Sequence, residues 1–285
     1  MRKTFAVVVC ALTVLVAACS QKEAAQPPVA TPTVTINKEK AAIGSPLKIT
    51  YKFEVLPNAS FDAAYVVFVH VLDPDGEKLW QDDHQPSVPT SGWKSGQVVE
   101  YTRTVFIPNY PYIGEAIVRL GLYNPTTGHR LTLNAPEAGR QEYVVARLQL
   151  LPQSENIFII HREGWHAPEL DANNPTSEWQ WTKKTATLSF RNPKRDSTFY
   201  LEFDARPDLF NPPQQITVSS GGQTLGTFAA DSKEKTMKMI PVTAAQLGAG
   251  DMADIVIDID RTFAPGGIDT RELGLRVFHT FIEPK

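Results

Sequence analysis

Hydrophobic and polar residues alternate along much of the chain, a period of two that is typical of half-buried β-strands. In the segment 47–55, apolar and aromatic residues occupy the odd positions, while lysine, threonine and glutamate occupy the even ones. The segment 65–72 is apolar or aromatic throughout except at His70, which predicts a central strand whose histidine is satisfied inside the core. The first segment is therefore expected to have one wet face and the second none.

Further segments of strand composition follow at short intervals, with turn signals between them. They span residues 98–107, 115–123, 143–150, 157–160, 185–190, 199–205, 216–219, 224–228, 255–260 and 273–282. Ser220-Gly221-Gly222-Gln223 predicts a tight hairpin, and Thr243 with Gln246 predicts a capping box at the start of one short helix. The pattern predicts an all-β chain of antiparallel β-sandwiches, immunoglobulin-like or jelly-roll-like in class.

Two sandwiches fit the length of the chain, which is 285 residues. The boundary is expected near Leu151-Pro152-Gln153, so that the first sandwich spans residues 33–150 and the second spans residues 153–285. A single domain with an insertion is the alternative. It is less favoured because each half has enough apolar strands for a core of its own.

The amino-terminal segment has the layout of a secretory signal. Arg2 and Lys3 precede an apolar run over residues 4–16, which is too short for a membrane-spanning helix of about 20 residues. The run ends in Val16-Ala17-Ala18-Cys19, which resembles the lipobox of bacterial lipoproteins. The resemblance implies a signal peptide over residues 1–18 and a palmitoylated or otherwise acylated Cys19 as the first mature residue. An ordinary signal peptide or an uncleaved anchor are the alternatives.

Residues 19–32 are rich in proline, alanine and polar side chains, and they are expected to form a flexible tether. Acyl chains on Cys19 would make the lipid bilayer a partner of the chain without any further membrane-binding surface. Serine at position 20, in place of aspartate, implies by the same resemblance an outer-membrane lipoprotein of the periplasm or cell surface.

Charge and cysteine content narrow the classes of function. The 28 lysines and arginines against 31 acidic residues give a net charge of −3, which argues against a nucleic-acid partner. The two cysteines are Cys10, inside the predicted signal, and Cys19. No cysteine remains in the predicted domains for a disulfide, a thiol nucleophile or a thiolate metal site.

A tryptophan-rich stretch is the best candidate for ligand binding. Trp165, His166, Trp179 and Trp181 fall close together, and Glu169 lies among them. Aromatic faces stack on the C–H groups of a sugar ring, and a carboxylate accepts hydrogen bonds from its hydroxyls. Tryptophans also anchor the cores of many sandwiches, so a purely structural role is the competing interpretation.

Asp269, Arg271 and Glu272 are predicted to form a structural ion pair that holds a loop against the last strand. The alternative is that Asp258 and Asp260 join these two acidic residues around calcium, although the spacing fits no standard calcium loop.

Zinc is not predicted, because the stretch from His161 to His166 lacks the His-Glu-x-x-His pattern and supplies too few ligands. We therefore predict no metal and no cofactor. His84, next to two aspartates, is expected in a solvated loop.

Several short motifs resemble non-catalytic β-sandwich modules of bacterial membrane glycosyltransferases and surface-polysaccharide proteins. They are Val67-Phe68-Val69-His70, Asp73-Pro74-Asp75-Gly76, Trp93, Gly121-Leu122-Tyr123, Arg130-Leu131, Gly164-Trp165, Glu169, Trp179-Gln180-Trp181-Thr182 and Asp269-Thr270-Arg271-Glu272-Leu273-Gly274. The resemblance implies a sandwich fold in a glycan-rich setting, and it carries over no catalytic residue.

Together these features predict a lipid-anchored, non-catalytic envelope protein that binds glycan or assists polysaccharide or envelope assembly. A structural adaptor that contacts other envelope proteins is one alternative, and a glycan-directed hydrolase is another. No serine-nucleophile elbow, phosphate-binding loop or dinucleotide fingerprint occurs in the sequence.

Overall fold

The architecture is seen in a computed structural model, which describes residues 26–109, 112–153, 158–172 and 177–285. The chain is all-β, and four sheets pack as two sandwich-like pairs. The predicted signal peptide, Cys19 and most of the predicted tether lie outside the described residues. Over the described ranges, none of the helices has the length and hydropathy that a membrane crossing needs.

The first half of the chain forms two sheets and a short 3-10 turn at Thr90–Gly92. Its strands are β1 (Ala30–Ile36), β2 (Lys40–Ala42), β3 (Pro46–Val55), β4 (Val66–Leu72), β5 (Lys78–Gln81), β6 (Val98–Phe106), β7 (Gly114–Tyr123), β8 (Arg130–Leu131) and β9 (Tyr143–Leu151). The first sheet has the order β1-β3-β6, and the second has the order β2-β9-β7-β4-β5, with β8 paired to β7. All pairings are antiparallel except that of β2 with β9.

The alternation in β3 produces the wet and dry faces that the sequence predicts. Leu47 and Tyr51 are buried in the core between the first two sheets, while Lys48 on the other face is exposed. Strand β4 is buried on both faces, but only one face belongs to that core, through Val69 and its alternate neighbours. The prediction that His70 lies in the core is wrong: it lies on the opposite face, 3.6 Å from the Glu142 carboxylate.

The predicted tether is too long at its carboxyl end. Strand β1 begins at Ala30, which is fully buried, and pairs with β3 from Ala30 opposite Val55 onwards. Pro32 is tolerated because β1 is an edge strand, where a missing N–H donor leaves no ladder bond unmade. Residues 30–32 therefore belong to the sandwich.

The second half forms the other two sheets. Its elements are β10 (Ile159–His161), β11 (Glu169–Leu170), β12 (Glu178–Trp181), β13 (Thr185–Arg191), β14 (Ser197–Asp204), β15 (Gln214–Ser220), β16 (Gln223–Ala230), β17 (Thr236–Val242), the helix α1 (Ala244–Leu247), β18 (Met252–Ile259) and β19 (Arg276–Pro284). The third sheet has the order β10-β13-β18-β15-β16, and the fourth has the order β11-β12-β19-β14-β17. Phe199, Leu201 and Phe203 of β14 point into the core between them.

Both local signals of the second half are confirmed. Gly221 and Gly222 take φ values of 55° and 77° in the hairpin between β15 and β16, where a residue with a Cβ is strained. The Thr243 hydroxyl accepts a hydrogen bond from the Gln246 N–H, and the Gln246 side chain accepts one from the Thr243 N–H. These bonds satisfy N–H groups at the start of α1 that lack partners within the helix.

Aromatic side chains join the two halves. Phe106, at the end of β6, packs against Tyr200 and Phe281 on the outer face of the fourth sheet. Its ring stacks on His279 with the ring centroids 4.6 Å apart. This contact brings the first sandwich onto one part of the fourth sheet, and the part that carries β11 and β12 lies beyond it.

Candidate functional site

Two of the predicted tryptophans lie on the outer face of the fourth sheet. Trp179 and Trp181 are two residues apart on β12, so they share a face, and Trp181 is paired with Arg276 of β19. The Arg276 guanidinium lies 5.1 Å from the Trp179 ring centroid and 5.9 Å from the Trp181 ring centroid. Part of this aromatic surface is thus occupied by a cation of the chain itself.

Asp204 at the end of β14 holds Arg276 in place. The Asp204 carboxylate is almost fully buried and accepts hydrogen bonds from Nε of Arg276 at 2.9 and 3.0 Å and from its Nη2. A two-pronged pair of this kind fixes the plane of the guanidinium. Arg276 is therefore a rigid part of the surface beside the tryptophans.

Trp181 also forms the wall of a cavity at the end of the second sandwich. The cavity has a volume of about 350 Å³, and its apolar walls include Trp181, Phe263, Leu209 and Leu273. The rings of Trp181 and Phe263 meet edge to face, with their centroids 5.7 Å apart. We refer to this space as the aromatic cavity.

One charged side of the aromatic cavity is built around Arg271. Its guanidinium donates to Asp269 through Nε at 3.0 Å and through Nη2 at 2.8 Å, and to Glu169 through Nη1 at 2.5 Å. Hydrogen bonds from Arg271 lower the pKa of Asp269 to about 2. Asp269 and Glu169, which are far apart in the sequence, thus share one arginine.

Arg206 forms the other charged side. Its guanidinium lies 5.7 Å from the Phe263 ring centroid and donates to Asp208 at 3.1 and 2.9 Å. Lys233 lies 3.4 Å from the same carboxylate. The hydrogen bonds from Arg206 hold the pKa of Asp208 well below its ordinary value.

His166 and Glu272 occupy supporting positions. The His166 N–H donates to the Trp181 carbonyl at 2.9 Å, and Nε2 of its ring lies 2.7 Å from the Glu272 carbonyl oxygen. The Glu272 carboxylate accepts from the Thr262 hydroxyl at 3.0 Å. The prediction that Glu272 belongs to the ion pair is therefore wrong. Arg271 pairs with Glu169 in addition to Asp269.

Trp165 pairs with Thr182, the residue next to Trp181, but its side chain packs on the core and not in the aromatic cavity. Its indole N–H donates to the Thr187 carbonyl at 2.9 Å, and its ring packs against the core and against His161 at 4.4 Å. A second concavity of about 510 Å³ is lined by His161, Thr187 and the two charged residues that follow His161. Trp165 lines neither concavity, and its hydrogen bond and packing are those of a core residue.

The lining residues that the sequence did not single out include Arg206, Leu209 and Phe263. They lie in the loops after β14 and after β18, which reach the same end of the sandwich as the end of β12 and the start of β19. Arg206 lies two residues after the end of β14, but nothing in the pattern shows which strand ends become neighbours.

The four carboxylates considered as calcium ligands accept hydrogen bonds from different partners; they are Asp258, Asp260, Asp269 and Glu272. Asp258 accepts from the Thr185 hydroxyl at 2.6 Å, and Asp260 accepts from the Gln215 N–H at 2.8 Å. Across the described ranges, the side chains of histidine, cysteine, aspartate and glutamate form no group of three or more that is placed to hold a metal ion.

No family model matches the chain, and no curated protein matches it. Solved structures similar to it include a β-glucuronidase of Bacteroides uniformis, with 10% identity and a TM-score of 0.33 over 89% of this chain and 30% of that one. Another holds the CBM51-2 module in complex with GlcNAc and INT domains from Clostridium perfringens ZmpB, with 10% identity and a TM-score of 0.25 over 88% of this chain and 41% of that one. A third is an isomalto-dextranase of Arthrobacter globiformis T6 complexed with panose, with 8% identity and a TM-score of 0.25 over 84% and 35%.

The chain thus spans less than half of the length of each of these proteins. They include glycosidases and a carbohydrate-binding module. With TM-scores below 0.5, these similarities are too weak to assign a function to this chain. Its all-β architecture is evident from its own strands.

Proposed function

We propose that the chain is a lipid-anchored, non-catalytic protein of the cell envelope that binds glycan in the aromatic cavity. The observation that carries the proposal is the meeting of Trp181 and Phe263 with two fixed arginines, Arg206 and Arg271, in one concave space. At about 350 Å³, this space lies at the lower end of the range for small-ligand sites.

The cavity offers both kinds of contact that a sugar ring needs. The rings of Trp181 and Phe263 provide apolar surface for the C–H groups of the sugar. Arg271 and Asp269 provide N–H donors and carboxylate oxygens for its hydroxyls, and their mutual hydrogen bonds hold them ready. Little side-chain freedom is lost on binding, which favours affinity.

The ionisation of Asp269 supports binding in preference to a role of this residue as the acid in hydrolysis. A glycosidase needs a carboxylic acid whose pKa is raised, so that it can donate a proton to the leaving oxygen. Arg271 instead lowers the pKa of Asp269 to about 2, which keeps this carboxylate ionised at neutral pH. Glu169 is bound to the same arginine.

Isothermal titration calorimetry with envelope oligosaccharides tests the proposal. We expect Trp181→Ala to weaken binding at least about tenfold, which corresponds to about 1.4 kcal/mol, because it removes the shared wall of the cavity. Phe158→Ala is the matched control, since this aromatic side chain is 58% exposed and lies outside the cavity. Absence of binding by the unaltered protein to any envelope glycan would exclude the proposal.

The membrane anchor rests on the lipobox-like stretch that ends at Cys19, outside the described residues. Acyl chains on this cysteine would give stable attachment to a bilayer, which we propose is the outer membrane. Metabolic labelling with a palmitate analogue should mark the unaltered protein and leave Cys19→Ser unmarked. Equal labelling of the two would contradict the anchor.

A second candidate is an adaptor that binds another envelope protein. It is favoured by Ile268 and Leu209, two apolar side chains that the fold leaves exposed in the loops of the cavity. Ile268 is fully exposed directly after Gly266 and Gly267, which both take positive φ values. Ile268→Ser would weaken capture of a protein partner and leave glycan titrations unchanged.

A further inference from the structure

A second group of aromatic and cationic side chains lies on the outer face of the fourth sheet, beside the aromatic cavity. It consists of Trp179 of β12, Arg276 and Phe278 of β19, and Lys235 directly before β17. The Trp179 and Phe278 ring centroids are 6.2 Å apart, and Nζ of Lys235 lies 4.0 Å from the Phe278 centroid. None of the four lines the aromatic cavity. We refer to them as the aromatic ledge.

A β-bulge brings Phe278 onto this face. The register of β14 and β19 shifts between Glu202 and Phe203, which leaves Phe278 without a partner across the pair. Val277 before it points into the core, while Phe278 contacts Lys235 on the outer face. Bulges re-aim single side chains in this way, and they are common beside functional sites.

The ledge begins where the wall of the cavity ends. Trp181, which lines the cavity, and Trp179 share one face of β12 and are about 7 Å apart along the strand. The Arg276 guanidinium lies beside both rings, and it is also 5.3 Å from the Phe278 ring centroid. A ligand chain that leaves the cavity past Trp181 along β12 therefore meets Trp179 and Arg276 next.

The ledge offers hydrogen-bond donors for such a chain. Asp204, whose side chain is 5% exposed, holds Arg276 through Nε and Nη2. The hydrogen bonds of Arg276 within the described ranges use only these two nitrogens, so the N–H groups of Nη1 remain for a ligand. Lys235 is exposed and adds an ammonium group with three further donors.

We infer that the aromatic ledge is a second sugar subsite, and that the ligand is a glycan of at least two linked rings. The inference rests on the proposed function, because the first ring would occupy the aromatic cavity. Trp179 and Phe278 supply apolar surface for the C–H groups of the next ring. Arg276 and Lys235 supply donors for its hydroxyl oxygens.

Two contacts on one glycan chain reinforce each other. Once the first ring lies in the cavity, binding of the next ring to the ledge is intramolecular, so the affinity of the whole chain rises. A single sugar cannot hold both places at once. Affinity is therefore expected to rise with chain length until the chain covers the ledge.

The test is a calorimetric titration with size fractions of one to four sugar units, prepared by partial hydrolysis of the envelope glycan of the native cell. We expect the unaltered protein to bind the trisaccharide at least tenfold more tightly than the monosaccharide. Trp179→Ala should reduce this ratio at least fivefold and change the affinity for the monosaccharide less than twofold, because Trp179 lies outside the cavity. Trp181→Ala, in contrast, should weaken the binding of both sugars.

Met239→Ala is the matched control, and it should leave every affinity unchanged. Met239 is 55% exposed on the same outer face, where it pairs with Tyr200 at the opposite edge of the sheet. Lys235→Ala is a second variant of the ledge at an exposed position, and it should lower the ratio at least twofold. Arg276 is left unaltered, because its removal would leave the buried Asp204 carboxylate unpaired. Thermal unfolding verifies that each variant is folded.

The outcomes separate this inference from the proposed function. If the unaltered protein binds the monosaccharide as tightly as the trisaccharide, the inference is overturned and glycan binding stands. If neither Trp179→Ala nor Lys235→Ala lowers the ratio, or if Trp179→Ala weakens the binding of both sugars alike, the ledge is not a second subsite and the inference is overturned too. If no fraction and no intact envelope glycan binds, the proposed function fails and the inference fails with it.

Discussion

At the scale of single residues, the first sandwich buries a histidine, His84, that the sequence predicts to lie in a solvated loop. His84 is only 4% exposed in its side chain, and its Nε2 lies 2.8 Å from the Tyr101 hydroxyl. Its other ring nitrogen lies 2.8 Å from the Asp82 carbonyl oxygen, while Arg103 pairs with the Asp82 carboxylate. Two neighbouring aspartates suggested a solvated loop, but the pairing of His84 with Val67 draws the segment onto the sheet.

This environment predicts how stability depends on pH. Burial lowers the pKa of His84 below its ordinary value of 6.5, so below that pH the unfolded chain binds more protons than the folded one. The stability due to neutral His84 is complete above pH 6.5 and is lost as the pH falls toward the folded-state pKa. One proton contributes at most about 1.4 kcal/mol per pH unit.

Denaturant unfolding between pH 7.5 and 5 would measure this slope. We expect His84→Gln to flatten the slope compared with the unaltered protein, even if the variant is less stable at every pH. His70 and His161, whose pKa values burial also lowers, are present in both proteins and cancel in the comparison. An identical slope in the variant would show that His84 is not the group responsible.

At the scale of elements, the period of two located the long strands because it depends only on which face of a strand is buried. β3, β6, β7, β14 and β18 all overlap the segments that the pattern predicts. The shorter elements β5, β8, β11 and β12 have too few residues to display a period. They exist because a longer neighbour offers them a hydrogen-bonding edge.

The hairpin between β15 and β16 provides a prediction at this scale. Gly222→Ala should destabilise the protein by about 1 kcal/mol, because φ there is 77° while a Cβ would meet no atom within 4 Å. Gly226→Ala is the control, since this glycine lies inside β16 without a positive φ and a Cβ would lie 3.9 Å from Ile240. Equal unfolding midpoints for the two variants would refute the role of the turn.

At the scale of the whole molecule, the two halves meet through a small set of side chains. Phe106 is 8% exposed although it lies on the outer face of the first sheet, because Tyr200, His279 and Phe281 surround it. Lys38 of the first half forms an ion pair with Glu283 of the last strand. These contacts set the position of the first sandwich beside the fourth sheet.

Phe106→Ala should loosen this junction, because it removes the aromatic ring that the second half encloses. We expect calorimetry to show two separated unfolding transitions and small-angle scattering to show a larger radius of gyration. Val98→Ala is the control, since it lies on the same face of β6 and is 54% exposed. A single, unchanged transition for Phe106→Ala would contradict a role of this contact in coupling the halves.

The amino-acid pattern was enough for the all-β class, the long strands, the hairpin at Gly221-Gly222 and the cap at Thr243, because each depends on residues close together in the chain. The pattern did not predict the aromatic cavity. Trp181, Arg206 and Phe263 come from three separate segments and become neighbours only where the ends of β12, β14 and β18 meet the start of β19. Pairing between strands, which no local period encodes, decided that Trp165 packs on the core and that Glu169 binds Arg271.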